Sequence, residues 1–161
     1  MIPIIISLRV RAPGPTDARV SVGRRQFSIG RPVEFDDASP HVAALEYALG
    51  AVGGEVVNGL REFARRRRLP IDAVEALVTG ELQDGLVYLE VVGETGRPRI
   101  RRIAIKLFVA SVDDEATRAL FNEMIERLPL VSTLREARRS RRRARPDVVA
   151  EERTGDVSIE R

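Results

Sequence analysis

Residues 47–60, YALGAVGGEVVNGL, constrain the fold of this chain more than any other stretch. Leu45, Leu49, Val52, Val56, Leu60 and Phe63 recur at three- and four-residue steps, the period of a helix with a buried face. Ser39 is a suitable cap and Pro40 suits a first turn, while Pro70 forbids continuation, so the spacing predicts a helix to about Arg68. A helix this apolar nearly all round needs cover on several faces, which places it at the centre of the fold. Gly50, Gly53 and Gly54 lie inside it, each costing about 1 kcal/mol relative to alanine. Two explanations stand: a second helix approaches closely where side chains are small, or packing within one chain rescues the glycines. Arg65 to Arg68 fall in the last turn, where cations complement the carbonyl end of the helix, and read as a structural cap.

The segments on either side are strand-like. IPIIISLRVRA, ARVSVG and RQFSIG precede the helix and suggest a meander of short antiparallel strands leading to the loop RPVEFDD. DAVEALVTGEL, GLVYLEVVGE and RIRRIAIKLFVAS follow it, the last with Ile103, Ile105, Leu107 and Val109 on one face and Lys106 on the other. A second helix is capped by the spacing Ser111 to Asp114 and sets Leu120, Phe121, Met124, Ile125 and Leu128 on one side, ending at Pro129. A short last helix from Ser132 carries Leu134. Strands, long helix, strands, helix is an α+β order.

The length of 161 residues supports one domain. We assign residues 1–134 to it and residues 135–161 to a flexible tail. Residues 135–145 hold seven arginines against one glutamate, and residues 146–161 carry five acids and two arginines, so the body is neutral despite a net charge of +3. Such an extension reads as solvated, or as a contact for an acidic partner or nucleic acid. No aromatic residue interleaves the arginines, so a stacking platform for single strands lacks support. No apolar run spans a membrane, and the N-terminus has neither a basic start nor a cleavage site, so a cytoplasmic protein is expected.

The chain has no cysteine, which removes disulfides, thiolate catalysis and thiolate metal sites together. His41 is the one histidine and reads as a surface group, so no metal and no cofactor is expected. Phosphate loops, dinucleotide fingerprints and nucleophile elbows are absent. Glu46 and Glu55 are nine residues apart on one helix, on opposite sides, and cannot converge as an acid and base pair within one chain.

The tract SPHVAALEYALGAVGGEVVNGLREFARRRRLPIDAVEALVTGEL resembles the central helix and following strand of the osmotically inducible protein C and organic hydroperoxide resistance family (OsmC/Ohr), and ERLPLVSTL resembles its closing segment. The resemblance covers roughly residues 16–136. Members have a small-residue run such as Leu-Gly-Gly before a peroxidatic cysteine, and a second cysteine before Pro-Val and then Thr-Leu. On that pattern Gly53 and Gly54 match the small residues, Glu55 falls on the first cysteine and Leu128, before Pro129, on the second, with Thr133 and Leu134 following. A rival register puts Val52 on the first cysteine, but the distance onward to LREFARRRRLP suits Glu55 better. Both redox cysteines are thus missing.

The resemblance implies antiparallel sheets wrapped around a long central helix in an intertwined homodimer, with an active site at the interface. It implies a pocket built from Glu46, Gly53, Gly54, Glu55, Leu128 and Pro129, without a catalytic residue. Two functions follow: a non-catalytic homologue that binds a small molecule or partner there, or an enzyme using Glu55 as acid or base in a non-thiol reaction. A third makes the arginine tail a nucleic-acid contact. Helix geometry sets Glu55 about 100° from the centre of the apolar stripe, which predicts a half-buried carboxylate.

Overall fold

A computed structural model describes residues 3–14, 17–30 and 41–143. The chain divides into two compact units, one of residues 1–49 and 82–100, the other of residues 50–81 and 101–161.

In the first unit, β1 (Arg9–Arg11), β2 (Ala18–Val22) and β3 (Arg25–Ile29) form an antiparallel sheet in the order β1-β2-β3. Val10 pairs with Val20 and Val20 with Phe27, and only Val20 of the three is buried. Gly23, at φ 60°, supplies the positive angle that the two-residue turn between Val22 and Arg25 needs. The expected first strand is much shorter than its apolar run: residues 3–8 have no regular structure, and Ile4, Ile5 and Ile6 are 91%, 82% and 82% exposed. A strand exists only where a neighbour takes its backbone hydrogen bonds, and the pairing with β2 ends at Arg9 opposite Ser21.

The central helix α1 spans Ala44–Arg67. Ser39 and Pro40 lie outside the described residues, and residues 41–43 are not helical, so the helix starts later than Ser39 would place it. The Ala43 amide donates to Glu46 Oε2 at 2.7 Å, the backbone half of a capping box, and the ring of Tyr47 lies 5.1 Å from that of Phe27.

In the second unit, the buried face of α1 is Val52, Gly53, Val56, Leu60 and Ala64. It packs in one cluster with Leu120, Met124, Ile125, Leu128 and Val131. β4 (Ile71–Gln83) and β5 (Arg99–Ser111) form a two-stranded sheet whose Ile71, Val74, Ile105, Leu107 and Val109 join that core, as the alternation of β5 predicts. α3 (Asp114–Ile125) is capped by Asp113, whose side chain accepts from the Ala116 amide, rather than by Ser111. Ser111 Oγ instead pairs with Thr117 Oγ1 at 2.7 Å. α4 spans Pro129–Arg143 and starts three residues before Ser132, with Pro129 at its first position. The basic block from Arg135 begins within this helix, and the rest of the expected tail, residues 144–161, lies outside the described residues.

One expected strand is not one. Residues 85–94 form the single-turn α2 (Gly85–Tyr88) and a loop, in the first unit. An apolar run alone does not separate strand from helix, and the backbone here is bent by left-handed Asp84 and Glu90 and by Gly93 and Gly96 at φ 91° and 154°. Asp84 Oδ2 accepts the Arg97 amide at 2.9 Å and closes the loop. The whole is an α+β fold.

Candidate functional site

The second unit brings Glu55 to the start of α4. Leu128 occupies the cap position, because its carbonyl accepts the first helical bond, from the Ser132 amide at 2.9 Å. A leucine side chain offers the helix no acceptor, and this one is buried in the core. Pro129 has no amide hydrogen to satisfy. The next two amides, Leu130 and Val131, donate to Glu55 Oε1 and Oε2, each at 3.0 Å. One carboxylate therefore performs from α1 the capping that the local sequence of α4 cannot. The negative charge also faces the positive end of the helix dipole. Glu55 is half-buried, as its angle on the helix predicts.

Gly53, Glu55, Leu128 and Pro129 thus share the second unit, whereas Glu46 belongs to the first and serves there as the acceptor for Ala43. The glycines divide by role. A Cβ on Gly53 would stand 2.7 Å from Val78 Cγ2, and one on Gly59 would stand 2.9 Å from Leu128 Cδ2 and 3.1 Å from Met124 Sδ. Close packing within the chain explains those two. Gly50 and Gly54 have nothing within 4 Å of the same point among the described residues, so no described residue explains them. Leu130 and Val131 were not legible as partners of Glu55. A proline-started helix capped by leucine was the available signal, since it leaves two amides needing an acceptor from elsewhere.

Three of the arginines at the end of α1 are divided between two carboxylates. Glu62 accepts from Arg65 and Arg66 at 2.8 Å, and Glu123 of α3 accepts from Arg67 at 2.6 Å and Arg127 at 3.0 Å. Hydrogen bonds from Arg65, then Arg66, hold the Glu62 carboxyl down at about 2. Among the described residues no cluster of three His, Asp or Glu side chains could hold a metal, and no helix is long and apolar enough to cross a membrane.

This helix, flanked by strands and closed by a proline-started helix, has the OsmC-like fold. The structure is similar to that of an OsmC-like protein from Mycoplasma pneumoniae, with TM-score 0.67 and 14% identity over 83% of this chain and 89% of that one. It is similar to an organic hydroperoxide resistance protein OsmC from Legionella pneumophila, with TM-score 0.60 and 11% identity over 83% and 92%. It is also similar to the organic hydroperoxide resistance protein OhrB of Bacillus subtilis, with TM-score 0.56 and 17% identity over 80% and 90%. No family model matches the sequence, and no curated protein matches it significantly.

Proposed function

We propose that this chain is a cytoplasmic, OsmC-fold homodimer without thiol peroxidase chemistry, which binds a small molecule or partner in a pocket beside Glu55 and Leu128 at the interface of two copies. The observation that carries the reading is the engagement of both Glu55 oxygens by the amides of Leu130 and Val131. In the preferred register Glu55 stands where relatives have the peroxidatic cysteine and Leu128 where they have the resolving one. A carboxylate tied down at both oxygens builds that corner of the fold instead of reacting in it. The same engagement disfavours Glu55 as acid or base, because either role would give up a bond that α4 needs.

Homodimerisation is supported by incomplete elements. β4 and β5 are 13 residues each in a sheet that has two strands among the described residues, and sheets of that kind need further pairing or cover. Exposed Ile4, Ile5 and Ile6 precede β1, and among the described residues nothing fills the space beside Gly50 and Gly54. Among the described side chains of α4, Val131 is the most buried, and Arg135 makes an ion pair with Glu126 at 2.7 Å. Sedimentation equilibrium at micromolar concentration tests the assembly: a single species of twice the chain mass is expected, and a folded monomer would overturn it.

A further inference from the structure

A second site lies past the end of this region, toward the end of α1. Asn58, Arg61 and Arg65 succeed one another at helical spacing and line an open cleft of about 660 Å³, with Leu69, Pro70 and Ile71 among its other walls. That volume suits a small organic molecule. The apolar wall is firm, because Leu69 and Ile71 are partly buried and packed against the core.

The polar wall is not balanced. Glu62, the acid lining the cleft, is already matched by both Arg65 and Arg66. The side chains of Arg61 and Asn58 make no hydrogen bond or ion pair to another described residue. A guanidinium presents paired donors in a plane, the geometry that a carboxylate matches, and an amide one turn earlier offers another donor. We propose that this cleft binds a small organic carboxylate, its anionic head on Arg61 and Asn58 and its short apolar body along Leu69, Pro70 and Ile71. The site goes beyond the pocket proposed above, since neither Glu55 nor Leu128 lines it.

Hexanoate is the test probe, with hexanol at the same concentration and sodium chloride at matched ionic strength as the other arms, each titrated into the full-length chain and followed by amide shifts in ¹⁵N spectra. Saturable shifts at Asn58, Arg61, Leu69 and Ile71 are expected with hexanoate alone. Arg61→Gln should weaken hexanoate at least roughly tenfold, the loss of one charge-assisted pair. Arg118→Gln, on α3 and outside the cleft, should leave affinity unchanged. Equal shifts with chloride, equal binding of hexanol, or undiminished hexanoate binding by Arg61→Gln with native circular dichroism would each overturn the proposal. Glu55→Gln binding hexanoate as the wild type does keeps this result separate from the fate of the interface pocket.

Discussion

Glu55 and Val131, 76 residues apart in sequence, are joined by a 3.0 Å hydrogen bond from the Val131 amide to Oε2. With the matching bond from Leu130 it docks the first turn of α4 onto α1. Glu55→Gln keeps one acceptor and turns an amide donor toward a backbone donor. Hydrogen bonds to charged groups contribute roughly 1.5–3 kcal/mol each, so Glu55→Gln should destabilise by about 2 kcal/mol and Glu55→Ala by somewhat more. Urea unfolding measures both, and a loss under about 0.5 kcal/mol would show that water replaces the carboxylate without penalty.

The two kinds of glycine in α1 should respond differently. Gly53→Ala drives a methyl against Val78 Cγ2, and a β-branched side chain has few rotamers into which to retreat, so a loss of about 1–3 kcal/mol is expected. A Cβ on Gly54 meets nothing within 4 Å among the described residues. If a second copy covers it, Gly54→Phe should shift sedimentation toward monomer while circular dichroism stays native. An unchanged dimer would place the interface elsewhere.

How far the sequence was legible follows from where information is local. Helical periodicity marked α1 and α3, and alternation marked β5, because burial of one face imposes a period. The cap of α3 is ambiguous in the sequence because Ser111 and Asp113 can both serve, and the Thr117 hydroxyl that takes up Ser111 is six residues away. Residues 85–94 look like a strand in sequence but are not one, because their apolar character is not matched by burial, Val92 being 99% exposed. Resemblance singles out Glu55 in the sequence, and its angle on the helix predicts the half-buried position that it has. The start of α4 marks that an acceptor is needed, since Leu128 and Pro129 supply none, but nothing local marks Glu55, 75 and 76 residues away, as the group that supplies it.

Arg68 closes α1 in a conformation that suits glycine. It has φ 56°, its amide donates to the Arg65 carbonyl at 3.2 Å, and the Leu69 amide donates to the Ala64 carbonyl at 3.0 Å, the two bonds of a Schellman motif. A side chain in this region costs about 1–2 kcal/mol, partly offset by the greater chain entropy of unfolded glycine. Arg68→Gly should therefore stabilise by about 0.5–1 kcal/mol, read as a higher Tm. A lower Tm would show that the guanidinium contributes more than the strain removes.

Acid should loosen the same helix end. The Glu62 carboxyl is held at about 2, from an ordinary 4.5, by Arg65 and Arg66. A carboxyl depressed in the folded state contributes stability that is present above about 4.5 and lost as pH falls toward 2. The contribution is small because the group is exposed and screened by salt. A ¹³C titration of the Glu62 carboxyl should give a midpoint near 2 that rises in 1 M salt. A midpoint at 4.5 in low salt would mean that the ion pairs do not persist in solution.

The last prediction concerns the chemistry of the hydroperoxide resistance proteins that share this fold. Thiol reduction of an organic hydroperoxide begins when a thiolate attacks the peroxide oxygen, expelling an alkoxide that takes a proton and leaving a sulfenic acid. A second thiol then displaces water to form a disulfide, which an external dithiol reduces. This chain has no cysteine for either step. Glu55 is a carboxylate with no comparable oxidisable state, and Leu128 is a buried hydrocarbon. The sulfur of the chain is in Met1 and Met124, and Met124 is fully buried in the core. Thioethers would in any case need a separate reductase to turn over. Cumene hydroperoxide with dithiothreitol should therefore disappear at the protein-free rate with the wild type and with Glu55→Gln alike. Dithiol-dependent consumption by the wild type that Glu55→Gln abolishes would overturn the non-catalytic reading and make Glu55 a reacting group.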